Sequence, residues 1–299
     1  MEAVHDKIHE NGTAFGPTDS EVNPPMRGRS PMWRELFEPL YRDAPGDITV
    51  VRDVTYGKAE RNKLDVYFSK TSTREQKPVV VFVHAGGFYS GDKSWSEKCW
   101  ANIGNYFAQN GQVAVLVNHQ LVPHVRYPGG ADDIQLVREW VYSNIASEGY
   151  GKGSVDKVIL LGHSSGGAHV ATNLYAAGDA SRPAREPLSP PVAGVVYISA
   201  PFWFDRTKPL RQKAIGHYFG SDAEEVWGPL SPLGLFNRLP ESSPCLDVRR
   251  LPTYVGTVKY EGKETADANV AFLNAYRQRS RPSGTLPLFH VADRHNHMT

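Results

Sequence analysis

The stretch Val158-Ile159-Leu160-Leu161-Gly162-His163-Ser164-Ser165-Gly166-Gly167-Ala168-His169-Val170-Ala171 decides the fold. It opens on a continuous apolar run, the pattern of a strand buried on both faces. It closes on a helix start rich in small residues. Between them lies Gly162-His163-Ser164-Ser165-Gly166, a G-x-S-x-G. A serine at a sharp strand-to-helix turn sits in a strained backbone conformation, so its close neighbours must be glycine or small. Such a turn lifts the hydroxyl above the sheet and aims the helix N-terminus at it. In this context Ser164 reads as a nucleophile. Alone, the pentapeptide would equally fit a glycine-rich turn with an ordinary exposed serine.

The texture on both sides agrees with this reading. Val79–Val83 and Val113–Val117 are continuous apolar runs, and Val195–Ile198 is another. Ile48–Val54, Leu64–Phe68, Thr253–Val255 and Leu288–Val291 complete a set of eight candidate strands. Helical patterns separate them. Ile134, Val137, Val141 and Ile145 mark one face after an acidic first turn, Asp132-Asp133, where negative charge suits the helix N-terminus. A second helix is expected from about Ala266 to Arg279, with Val270, Leu273 and Tyr276 inward. Buried strands alternating with helices predict an α/β domain, a mostly parallel eight-stranded sheet covered on both faces. The domain is expected over 48–299. Its rhythm breaks at about 201–243, where Phe202, Trp203, Phe204, Tyr218, Phe219, Trp227 and Phe236 suggest a small cap inserted over the sheet edge. Residues 1–47 read as a polar arm followed by a short amphipathic helix marked by Trp33, Leu36, Phe37, Leu40 and Tyr41.

Composition narrows the function. The 299 residues carry 33 Lys+Arg against 32 Asp+Glu, a net charge of +1. That balance argues against nucleic acid or an acidic membrane surface as partner, since both need clustered positive charge. Apolar residues make up 40% of the chain, enough for a sizeable core. Two cysteines, Cys99 and Cys245, cannot build a disulfide framework or a cysteine-rich zinc module. No apolar run approaches the roughly 18 residues of a membrane span, and residues 1–30 contain no apolar signal-peptide core. The expectation is a cytoplasmic protein acting on a small molecule. The lone sequon Asn11-Gly12-Thr13 carries little weight. The N-terminal arm could pair protomers into a homodimer or wrap its own sheet.

A second chemical signal is His84-Ala85-Gly86-Gly87-Phe88, directly after the strand Val79–Val83. Glycines there let backbone N–H groups converge on one point. With the N–H of Ser165, those of Gly86 and Gly87 could form an oxyanion hole; a plain glycine turn is the other reading.

In these motifs the chain resembles the α/β-hydrolase superfamily, and more closely its carboxylesterase and kynurenine-formamidase-like branch. The resemblance runs from about residue 48 to the end. It includes Asn118-His119-Gln120-Leu121-Val122-Pro123, Tyr127-Pro128, Asp133 ahead of a helix with Trp140, and Leu230-Ser231-Pro232-Leu233. It departs from the family pattern at Ala85 and at His119-Gln120. It implies a triad in the order nucleophile, acid, histidine. The acid is then expected after the strand Thr253–Val258, and Glu261 has the family's spacing to Phe272; Glu264 and Asp267 are the alternates. The base is expected after the last strand, with His297 favoured over His295. His163 and His169, flanking the serine, are expected to point away and serve packing. A metal on His295 and His297 is disfavoured for want of a third ligand nearby.

The implied activity is cofactor-independent hydrolysis of a carboxylic ester or activated amide through an acyl-enzyme. Phe88, Tyr89 and Trp203 suggest an apolar or aromatic substrate pocket. Acyl transfer within a biosynthetic pathway would use the same triad. A non-catalytic ligand-binding protein would need only the fold.

Overall fold

The computed structural model describes residues 5, 6, 8, 9 and 38–298, apart from 73, 74, 184, 206 and 208. Its strands are β1 (Ile48–Thr55), β2 (Lys63–Ser69), β3 (Lys77–Val83), β4 (Val113–Val117), β5 (Gly153–His163), β6 (Gly194–Ile198), β7 (Thr253–Tyr260) and β8 (Leu288–Asn296). Its α-helices are α1 (Ala101–Gln109), α2 (Gly129–Asn144), α3 (Ser165–Leu174), α4 (Pro209–Phe219), α5 (Glu224–Trp227), α6 (Pro232–Asn237) and α7 (Lys263–Arg279). The strands form one sheet in the order β1-β2-β4-β3-β5-β6-β7-β8. β2 runs antiparallel to both β1 and β4, and every other pair is parallel.

The apolar runs are continuous because successive side chains serve two different layers. Val79, Val81 and Val83 of β3 pack with Ile134, Val137, Val141 and Ile145 of the α2 segment. Phe82, between them, packs on the other face with Ala101 and Ala108 of α1 and with Ala114 and Leu116 of β4. Each fully buried Val, Leu or Phe contributes about 1.5–3 kcal/mol. The same register stacks Val83 beside Val117 and beside Gly162, so the loops after β3, β4 and β5 emerge side by side. That edge, at the C-terminal ends of the parallel strands, carries the candidate site.

Three expectations change. Val270 is 57% exposed, and α7 instead buries Ala268, Phe272, Ala275 and Tyr276. Phe272 dictates this face by stacking on Phe202 at 3.9 Å. The segment 201–243 divides in two: Phe204, Ile215, Tyr218 and Trp227 close over Phe88 and Ala168, whereas Leu235 and Phe236 of α6 join the main core. Finally, β8 does not stop at Val291 but stays paired to β7 as far as Asn296. Trp33, Leu36, Phe37 and the sequon lie outside the described residues; Glu38–Leu40 form a single 3-10 turn. Among the described residues no helix is long and apolar enough to cross a membrane.

Candidate active site

Ser164 stands between the last residue of β5 and the first of α3, with φ 51° and ψ −125°. Such a conformation costs a non-glycine residue about 1–3 kcal/mol and persists only where its surroundings over-determine it. Here they do. The Ser164 N–H donates to the Ile198 carbonyl at 2.9 Å, and the Ser164 carbonyl accepts from Ala168 N–H at 3.2 Å. A Cβ on Gly166 would strike the Val83 carbonyl oxygen, so only glycine lets α3 approach β3 this closely.

The other two candidate residues converge on this serine from distant segments. Ser164 Oγ–H donates to His297 Nε2 at 2.9 Å, and His297 Nδ1–H donates to Glu261 Oε1 at 2.8 Å. Glu261 is buried directly after β7, and its Oε1 also accepts the Gly262 N–H at 3.0 Å. Burial by itself would push this carboxyl up. The adjoining His297 and the donors around it outweigh burial and hold it below the ordinary carboxylate value. The extra methylene of glutamate relative to aspartate is therefore accommodated. Glu264 is engaged elsewhere: its Oε1 accepts Arg211 Nε–H at 2.7 Å and the Asp205 N–H at 3.0 Å, fastening the cap to α7. Asp267 is exposed. The His295 ring meets the His5 ring edge-on at 6.0 Å rather than Ser164.

The loop after β3 reverses sharply. Gly86 has φ 149°, Gly87 62° and Phe88 72°, and the Gly86 carbonyl accepts the Tyr89 and Ser90 N–H groups at 3.2 and 3.0 Å. A Cβ on Gly86 would overlap the Ser90 carbonyl. Ser165 is the first residue of α3, where N–H groups lack intrahelical acceptors and the helix dipole favours negative charge.

The aromatic residues assigned to a pocket take different places. Phe88 is buried against His169, Phe204 and Tyr218, with ring centroids 5.0, 5.8 and 5.1 Å away. It anchors the cap to the body rather than lining an open pocket. Trp203 packs on Trp227 at 4.8 Å and borders an open cleft of about 550 Å³ with Glu224, Gly228, Asn237 and Arg238. That cleft shares no lining residue with Ser164, Glu261 or His297. Tyr89 is half-buried, and its hydroxyl bonds His217 Nδ1 of α4 at 2.9 Å.

Sequence reasoning missed what the remaining histidines do. His119 stacks on His84 and meets His169 edge-on, with ring centroids 4.5 and 4.6 Å apart. His84 Nδ1–H donates to the Ala85 carbonyl at 2.7 Å. His163, expected to point away, packs against His297 at 5.4 Å between centroids. Burial lowers all four, His163 to about 3. Each is neutral when folded but takes a proton once unfolded below about pH 6.5. Stability is therefore complete above that pH and falls as the solution is acidified toward the folded-state values. At pH 5 His163 alone costs about 2 kcal/mol, against a total of about 5–15 kcal/mol for a typical domain, and the other three act in the same direction. We expect the urea midpoint to drop steeply between pH 6.5 and 4.5. A midpoint unchanged across that window would refute neutral burial of these rings. Among the described residues no group of three or more side chains is placed to hold a metal ion.

Comparison with known proteins matches this geometry to a fold. The family model BD-FAE matches residues 64–182, less than half of the chain. Esterase B from Lactobacillus rhamnosis superposes with a TM-score of 0.67 over 97% of this chain and 84% of its own, at 14% identity. An esterase of the bacterial hormone-sensitive lipase family does so with a TM-score of 0.63 over 99% and 90%, at 17% identity. The fold is that of the α/β-hydrolases. Within it, the chain is 34% identical over 122 residues to a probable isoprenylcysteine alpha-carbonyl methylesterase of Oryza sativa subsp. japonica, covering 41% of this chain and 27% of that protein. It is 28% identical over 167 residues to esterase LipC of Mycobacterium tuberculosis, covering 55% and 40%. The chain thus spans about a quarter to two fifths of the length of these relatives. The stretch matched by the family model, 64–182, contains strands β3, β4 and β5, the loop after β3 and the serine turn.

Proposed function

We propose that this protein is a serine carboxylesterase that cleaves small esters through an acyl-enzyme. The observation that carries the reading is the unbroken relay from Ser164 Oγ through both ring nitrogens of His297 to the buried Glu261. His297 Nε2 takes the Ser164 proton as Oγ attacks the carbonyl carbon. The imidazolium so formed is stabilised by the ionised Glu261, and it returns the proton to the departing alkoxide. The N–H groups of Gly86, Gly87 and Ser165 receive the negative oxygen of the tetrahedral intermediate, each worth about 3 kcal/mol. Water activated by the same imidazole then releases the acid.

No step requires a cofactor. The named relatives and neighbours are all described as esterases, which supports reading the substrate as an ester. The finer placement, in the kynurenine-formamidase-like branch with an activated amide as substrate, rests on the His84-Ala85-Gly86-Gly87 loop and the serine turn. An aromatic preference would act through Tyr89, which is partly open to solvent on the loop after β3.

The test is a burst assay with p-nitrophenyl acetate and butyrate, with mass spectrometry of protein treated with a serine-directed phosphonate. We expect a stoichiometric burst and a single adduct on Ser164. No burst and no adduct would refute the esterase and leave a ligand-binding protein.

A further inference from the structure

His163, the residue preceding the nucleophile, touches the base-bearing residue through its main chain and its ring. It ends β5, is buried, and its Nε2 lies 3.1 Å from the main-chain carbonyl oxygen of His297. A carbonyl oxygen can only accept, so Nε2 carries the hydrogen and donates it. The ring is wedged between His297 and Trp100, with centroids 5.4 and 5.7 Å away. Its second nitrogen, Nδ1, is buried with no hydrogen-bond partner among the described residues. A buried bare nitrogen is a standing cost that a phenylalanine would not carry. A histidine kept here for packing alone is therefore a poor choice.

His297 needs such a hold. It follows the last paired residue of β8, Asn296, in a turn. Its side chain is held by Glu261 and Ser164, and its own carbonyl by His163. From the triad reading above, on which this rests, we infer that His163 is a positioning residue that fixes the main chain of His297 by an Nε2–H···O=C bond and so sets the imidazole against Ser164. Rotation of that peptide would swing the ring, and a misplacement of about 1 Å costs a rate on the order of a hundredfold.

The donor's position makes the inference testable. A glutamine amide nitrogen reaches about as far as Nε2 of histidine, whereas an asparagine amide stops near Nδ1. Burst and steady-state kinetics are to be measured for His163→Phe, His163→Gln and His163→Asn, with the melting temperature of each. We expect Phe and Asn to lower kcat by about 10- to 100-fold with little change in KM. Gln should recover most of kcat. The Phe variant should melt no lower than wild type. Loss of kcat in proportion to melting temperature, or equal behaviour of Gln and Asn, would overturn the inference.

A second readout does not depend on turnover. The deshielded proton resonance of His297 Nδ1–H should sharpen in wild type and Gln and broaden in Phe. An unchanged resonance in Phe would overturn the positioning role. A wild-type protein without burst or adduct would instead overturn the esterase reading, leaving the resonance to decide on His163.

Discussion

Ser164→Ala and His297→Ala are each expected to lower kcat for a p-nitrophenyl ester by about 10⁴- to 10⁶-fold. The two residues act as a unit. Without His297 nothing at 2.9 Å takes the Ser164 proton, and without Ser164 the imidazole has no nucleophile to activate. The double variant should then be no worse than either single one. KM should change little, because neither side chain is needed to hold the ground-state ester. The residual rate over water comes from the loop after β3 and from binding. Steady-state kinetics on the three variants, with circular dichroism to establish folding, measures this. A loss under tenfold in His297→Ala would move the base elsewhere, and the turning of His295 toward His5 offers no ready substitute.

The second large effect concerns Glu261. Glu261→Gln is expected to cost about 10³- to 10⁴-fold in kcat. The amide is nearly the same shape, so the loss isolates charge. An ionised carboxylate buried beside Nδ1 stabilises the imidazolium far more than it would in water. The neutral amide cannot, and if its NH₂ faces the ring it forces the wrong tautomer. Glu261→Asp retreats by about one C–C bond, roughly 1.5 Å. It should fall between, losing about a hundredfold. Glu264→Gln is the control: its carboxylate binds Arg211 in the cap, so the variant should keep kcat within a few-fold. Parity between the 261 and 264 variants would move the acid away from Glu261.

The parts legible from sequence were those that physical chemistry writes in runs. Val79–Val83 and Val113–Val117 are apolar throughout because both faces of the sheet centre are covered, so they announce parallel strands. The serine turn is legible because sterics leave few alternatives around Ser164. The acid and base came from likeness to a family rather than from local pattern, since residues 261 and 297 carry no periodic signal. The end of β8 is hidden in the sequence because Asp293-Arg294-His295-Asn296 is polar throughout and its first two residues are exposed, a pattern that looks like a loop. Val270 is exposed because α7 turns Phe272 inward, and the two cannot share a face two residues apart. The contact of His163 with His297 joins residues 134 apart in sequence, and nothing nearby announces it. Its one clue was adjacency to the nucleophile.

The irregular pairing of β7 with β8 has a consequence for how folding can be followed. Val258 faces Ala292 and Tyr260 faces Asn296, so β8 takes four steps while β7 takes two. Arg294, at φ 60°, absorbs the excess. A slip of one residue in this edge strand would present Asn296 or Met298 to Ser164 in place of an imidazole. Chemical competence therefore counts correctly assembled molecules. In refolded material, the fraction of chains that a phosphonate labels measures the fraction whose outermost strand has docked in its proper alignment, a distinction that spectroscopic secondary-structure content would miss.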